Sequence, residues 1–220
     1  MDHLARRRQP APKRLHALLG WAVGLLGGLA LLGAVTYTAL KLPHNSRGTG
    51  DALVSSTIGG PFRLIDQNGN NVTNTDLEGK WLLVYFGYTH CPDACPTALN
   101  NIALALRDLG AAKQQMRPVF ITIDPERDTS QALKDYVSAF DAPLLALTGS
   151  ADAIAQAAAE YRVYYAKRPE PSGDYLMDHT AIIYVMNPQG RFVASFTPED
   201  PPEQIAARLK LLLDRDKHGA

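Results

Sequence analysis

Cysteine is scarce in this chain: its 220 residues hold two, too few for the disulfide framework of a small secreted scaffold. Net charge is missing as well. Lys and Arg number 22 and Asp and Glu also 22, which excludes the strongly basic surface of a nucleic-acid binder. The length leaves no room for two large domains. The neutral total hides an uneven distribution, because residues 1–16 carry Arg6, Arg7, Arg8, Lys13 and Arg14 against Asp2 alone. With 46% hydrophobic and 20% charged residues, the chain has the composition of a packed protein rather than a disordered one.

One long stretch has no charge at all. Ala17 to Leu40 reads ALLGWAVGLLGGLALLGAVTYTAL, 24 residues. At about 1.5 Å per residue, a helix of that length crosses a hydrocarbon core of about 30 Å. A cleavable signal peptide is the alternative, but its apolar core runs to only about 7–15 residues before a small-x-small cleavage site. The basic head precedes the segment and only Lys41 and Arg47 follow closely, so the positive-inside rule places the N-terminus in the cytoplasm and the body across the membrane. The expected organisation is a basic cytoplasmic head (1–16), a transmembrane helix (17–40), a tether (41–59), one domain (60–214) and a tail (215–220).

The body reads as alternating strands and helices. Phe62 to Asp66, the turn QNGN and an extended stretch about Val72 form a hairpin. Trp81 to Phe86, WLLVYF, is the continuous apolar run of a strand buried on both faces. A helix follows from Pro96 to about Leu109, then a strand from Arg117 to Ile123 and a helix from Gln131 to Phe140 capped by Thr129 or Ser130. Leu144 to Leu147 is a short strand and Ser150 to Tyr161 a helix. Thr180 to Met186 and Arg191 to Phe196 flank the turn NPQG, and a helix from Pro202 to about Leu213 closes the domain.

Both cysteines fall in one pentapeptide, Cys91-Pro92-Asp93-Ala94-Cys95, between the buried strand and the following helix. Ligands of open α/β sheets bind at such a place, and a helix start favours thiolate over thiol. Helical spacing of four puts both sulfurs on one face, as a disulfide or as two metal ligands; spacing alone does not choose. A purely structural disulfide closing so short a loop adds little stability. Two thiolates are too few for a closed zinc site, so a third ligand has to come from elsewhere. His3 and His16 lie on the cytoplasmic side, His44 in the tether and His218 in the last residues, which leaves His90 and His179. His179 opens the strand after the loop YLMDHT and is placed to reach the helix mouth; His90 shapes the cysteine loop. Two soft thiolates with one imidazole suit copper, Cu(I) above all. Asp178 alternates away from His179 along an extended chain and is expected to order the loop. Met177 is either a weak sulfur donor or a filler of the core.

In order and spacing, YTHCPDACP, DPERDT and DHTA resemble the Sco/SenC family of membrane-anchored copper proteins, over about Ile58 to Leu213. The resemblance implies a thioredoxin-like fold, here with an N-terminal hairpin. It implies Cys91, Cys95 and His179 as ligands of copper, Cu(I) or Cu(II), and a metallochaperone that helps build the binuclear copper centre of cytochrome c oxidase subunit II. The partners expected are that subunit or a similar acceptor, an upstream copper donor and a thiol reductant, with no nucleic acid. The location implied is a bacterial inner membrane with the domain in the periplasm, or alternatively a mitochondrial inner membrane facing the intermembrane space.

A carrier of this kind is not an enzyme. The competing function is a thiol-disulfide oxidoreductase using Cys91 and Cys95 to keep acceptor cysteines reduced. A peroxidase site is disfavoured, because Tyr88 and Val84 stand where a threonine or serine and a proline are needed. Asp124, in the second motif, either helps place copper or a partner or simply turns the chain with Pro125, while Asp128 and Thr129 start the next helix.

Overall fold

The computed structural model describes residues 58–217. The basic head, the apolar segment 17–40, the tether up to residue 57 and residues 218–220 lie outside the described residues. Among those described, no helix is long and apolar enough to cross a membrane.

The body is a mixed α/β structure on a seven-stranded sheet. Its strands are β1 (Arg63–Asp66), β2 (Asn71–Thr73), β3 (Trp81–Gly87), β4 (Met116–Thr122), β5 (Leu145–Thr148), β8 (Ile183–Met186) and β9 (Phe192–Phe196), and their order across the sheet is β2-β1-β5-β4-β3-β8-β9. The hairpin read at QNGN is present. Asp66 Oδ1 accepts from the N–H groups of Asn68 and Asn70, both at 2.8 Å, and Gly69 takes the φ of +86° that the turn requires. Every residue of β3 is buried, and the strand pairs parallel with β4 (Val84 opposite Val119) and antiparallel with β8 (Leu83 opposite Val185). β4 and β5 are also parallel. The carboxyl ends of β3 and β4 therefore meet at one edge, and the loops that leave them become neighbours.

Helix α1 (Ala94–Asp108) follows β3 and buries Cys95, Leu99, Ile102 and Leu106. Helix α2 (Ser130–Val137) is capped by Thr129 Oγ1, which accepts from Ala132 N–H at 3.2 Å; in α3 (Ala151–Glu160) Ser150 Oγ accepts from Ala153 N–H at 3.2 Å. Helix α4 (Pro202–Lys217) packs against α1. α2 stops before Phe140, and α4 runs past Leu213 into the region read as a tail.

One element was not anticipated. β6 (Tyr165–Pro169) and β7 (Tyr175–His179) form a separate antiparallel hairpin, turning at Gly173 with φ +91°. Lys167, Arg168 and Pro169 are exposed, so β6 shows none of the inside-outside alternation that marks a half-buried strand. His179 consequently ends β7 opposite Tyr165 rather than opening β8.

Candidate metal centre

The donor atoms of Cys91, Cys95 and His179 all lie within 4.8 Å of one another. Each reaches that point differently. Cys95 is the second residue of α1 and fully buried, pressed against the end of β3. Gly87 makes this approach possible, since a Cβ there would lie 2.8 Å from Cys95 Sγ and 2.8 Å from the Phe120 ring. Cys91 is not helical. Its N–H donates to Tyr88 O at 3.3 Å in a turn, and its sulfur accepts from the Cys95 N–H at 3.3 Å. Asp93, the residue before the helix, makes no side-chain cap, so the Cys91 sulfur occupies the place of a capping oxygen. The sulfurs thus converge through a turn, not through one helical face as spacing had suggested.

This geometry sets the two thiols apart. The Cys91 thiol is held down at about 4, mainly by the hydrogen bond from the Cys95 thiol and further by His179 and the N–H groups of Cys95 and Asp93, against an opposing effect of burial. Cys95 is pushed well above an ordinary thiol, because it donates to Cys91 and because it is buried. Tyr85 OH also lies 3.9 Å from Cys95 Sγ, in donating range.

The His179 ring makes T-shaped contacts with Tyr85 and Tyr88, with centroids 6.1 and 6.0 Å away. Its Nδ1 donates to Thr180 O at 3.1 Å, which leaves Nε2, 3.6 Å from Cys95 Sγ, to face the sulfurs. Asp178 points outward and pairs with Arg168 at 3.0 Å, so the ring's orienting partner is a backbone carbonyl. Met177 is buried in the core. His90 is exposed and bonds Thr89 Oγ1 through Nδ1 at 3.0 Å, outside the donor cluster.

The segment DPERDT braces both sides of the site. Asp128 is fully buried and reaches back to the cysteine loop. Its carboxylate accepts from Thr89 N–H (3.0 Å), Thr89 Oγ1 (2.6 Å) and Thr122 Oγ1 (2.6 Å). Asp124, 1% exposed, turns the chain by accepting from Asp128 N–H at 2.9 Å, and its side chain binds Arg127 and the Tyr175 hydroxyl. Arg127 then donates to Asp174 and to Tyr175 O, both at 3.0 Å, and its guanidinium lies 3.7 Å from the Tyr175 ring centre. That clamp fixes the turn end of the hairpin whose second strand ends in His179. Both earlier readings of Asp124 are thereby refined: it makes the turn and positions the hairpin without facing the sulfurs. Thr89, Arg127, Asp128 and Tyr175 were not recognised as part of the site from sequence.

Asp128→Ala leaves the buried Thr122 hydroxyl unpaired, at about 1–3 kcal/mol, and removes the two bonds to half-buried Thr89, at about 0.5–1.5 kcal/mol each. The expected loss is roughly 3–5 kcal/mol, or on the order of 10 °C in Tm. Thermal denaturation checks it, and a shift below about 2 °C would mean that the carboxylate is not the tie described.

Donor spacing fits a small soft ion. Bonds of about 2.3 Å to sulfur and about 2.0 Å to nitrogen hold trigonal donors roughly 3.7–4.0 Å apart, so inward shifts of about 1 Å suffice. Comparison with known proteins agrees with this chemistry. Residues 50–214 match the family described as SCO1/SenC. The chain is 46% identical to the mitochondrial protein SCO1 homolog 1 of Arabidopsis thaliana over 145 residues, 66% of this chain and 43% of that one. It is 40% identical to the mitochondrial SCO2 homolog of Bos taurus over 205 residues, 91% of this chain and 76% of that one. The chain thus spans less than half of the Arabidopsis protein's length. Among solved structures it resembles Bradyrhizobium japonicum ScoI with copper bound, at 51% identity and a TM-score of 0.65, over 70% of this chain and 98% of that one. By the extent of these matches and by the motifs that build the site, the chain belongs to the SCO1/SenC family.

Proposed function

We propose that this chain is a membrane-anchored metallochaperone that carries copper between Cys91, Cys95 and His179 and delivers it to the binuclear copper centre of cytochrome c oxidase subunit II. The observation that carries the reading is the convergence of two thiols and one imidazole within 4.8 Å, with Cys91 half-exposed at the mouth. The copper-bound Bradyrhizobium relative supports it. Three donors leave an open coordination position, so an acceptor thiolate attaches before a resident ligand leaves. In this reading residues 1–16 are cytoplasmic, 17–40 span the bilayer, 41–59 tether the domain 60–214, and 215–220 are its tail. The domain stands outside the cytoplasm, in a bacterial periplasm or, as the names of its mitochondrial relatives suggest, in an intermembrane space. An upstream copper donor and a thiol reductant complete the partners.

The asymmetry of the thiols favours a second reading, a thiol-disulfide reductase. The Cys91 thiolate attacks an acceptor disulfide, the mixed disulfide releases one acceptor thiol, and the Cys95 thiol, losing its proton, displaces the second. Two electrons pass to the acceptor and a Cys91–Cys95 disulfide remains. The two readings part on mixing copper-loaded protein with a purified oxidase copper domain and following metal and free thiols in each. The chaperone moves copper with no disulfide formed on this chain. Formation of one disulfide here per two thiols gained there, with no copper taken up by the acceptor, replaces the first reading with the second.

A further inference from the structure

A second recess lies at the opposite ends of the strands. It is a groove of about 690 Å³ with Leu106, Met116 and Leu144 on its floor and Lys80, Arg107, Lys113 and Arg117 around it, against the single acid Asp141. The concentration of positive charge runs against the rest of the body, because residues 58–217 hold 15 Lys and Arg but 20 Asp and Glu. Lys80 Nζ donates to Gln114 O at 2.6 Å, and Arg107 pairs only with its exposed neighbour Asp108 at 3.4 Å. Among the described residues, Lys113 and Arg117 have no carboxylate within ion-pairing distance. Such a groove complements a ligand that is anionic at its head and apolar behind it.

Its place in the fold selects the source. Lys80 precedes β3, Met116 and Arg117 begin β4, and the metal donors gather at the other ends of these strands. Seven residues at about 3.3 Å each separate the two ends by roughly 20 Å. The chain joins the body at the groove's pole. Gly59 N–H donates to Glu160 O, a Cβ on Gly59 would lie 3.6 Å from Gly190 O, and the same 187–190 turn accepts Gly79 N–H at Pro188 O, one residue before Lys80.

We infer that this groove docks the body onto anionic phospholipid headgroups, resting on the reading of residues 17–40 as a membrane anchor. The bilayer holding the anchor is an anionic surface to which the chain is already tied, and outside the groove the body is net acidic. Docked in this way, the body holds its metal centre on the side away from the lipid.

The test uses residues 58–217 alone, which correspond to nearly the whole of the solved Bradyrhizobium chain and enclose their own core. Flotation is measured with phosphatidylcholine vesicles and with vesicles containing about one third phosphatidylglycerol, at low and high salt. Binding is expected to the anionic vesicles only, weakened by salt. It is expected to fall roughly 25-fold in Lys113→Ala/Arg117→Ala, at about 5-fold per basic residue, and to be unchanged in Lys134→Ala on α2. Copper uptake by the double variant confirms that it is folded. Equal binding to both vesicle types, full binding by the double variant, or displacement from vesicles by inorganic phosphate at matching concentration would each overturn the docking. Because this fragment lacks residues 17–40, a negative result leaves the anchor reading intact; that reading is decided by whether the full chain stays in washed membranes.

Discussion

If Cys91, Cys95 and His179 hold the metal as proposed, Cys91→Ser, Cys95→Ser and His179→Ala should each reduce copper affinity by at least about 100-fold, since loss of an outer partner to a metal ligand alone costs about 10–100-fold and loss of the ligand itself costs more. The three are not equivalent in mechanism. Cys91 supplies a ready thiolate, so its loss removes the donor that holds copper without a proton having to leave. Cys95 has to shed a proton to bind, yet it is the fully buried donor, seated against Gly87, and its loss would detach the ion from the body of the fold. His179 closes the site from the hairpin, and its ring makes edge contacts with Tyr85 and Tyr88. Competition with a chelator measures the affinities, and sulfur-to-Cu(II) charge-transfer absorption reports which sulfurs remain. An unchanged spectrum and affinity in His179→Ala would remove that residue from the ligand set. Tm measured on the metal-free variants separates lost ligation from lost folding.

Much of this site was readable from the chain because its decisive parts are local. An uninterrupted WLLVYF run has to be a buried strand, and CPDAC has to sit where that strand hands over to a helix. His179 came from elimination, six histidines being few enough to sort by position. What was not readable depends on which loops become neighbours. DPERDT explains itself locally as a turn and a capped helix start, and Thr129 does cap α2. Only the parallel pairing of β3 with β4 brings Asp128 to Thr89, 39 residues away in sequence. Arg127 likewise finds Tyr175 because the β6–β7 hairpin folds back over the sheet edge, and that hairpin was hidden by its exposed, charged first strand. The basic groove was not readable because, although Arg107, Lys113 and Arg117 are close in sequence, only the fold gathers them with Lys80 around an apolar floor.

Oxidation of the cysteine pair is expected to abolish copper uptake, because a disulfide leaves His179 as the one donor of the three. The geometry favours that oxidation as readily as it favours metal. The sulfurs lie within 4.8 Å, Cys91 is reachable and already ionised, and Cys95 waits behind it as the resolving thiol. With oxidised glutathione, the Cys91 thiolate forms the mixed disulfide and expels one glutathione thiolate; Cys95 then loses its proton, closes the protein disulfide and expels the second. Because the Cys91 thiol is held at about 4, its thiolate fraction is saturated well below neutrality. The first step should keep nearly the same rate from about pH 5 to pH 8, where an ordinary thiol near 8.5 would speed up about tenfold per pH unit. Mass spectrometry after oxidation should show the loss of two hydrogens, with copper uptake absent and then restored by reduction. Equal copper uptake before and after reduction would mean that the thiolates are not the main ligands. A first-step rate climbing tenfold per unit would instead remove the claim that the Cys95 thiol, His179 and the helix-start N–H groups hold Cys91 ionised, while leaving the exclusion between disulfide and metal in place.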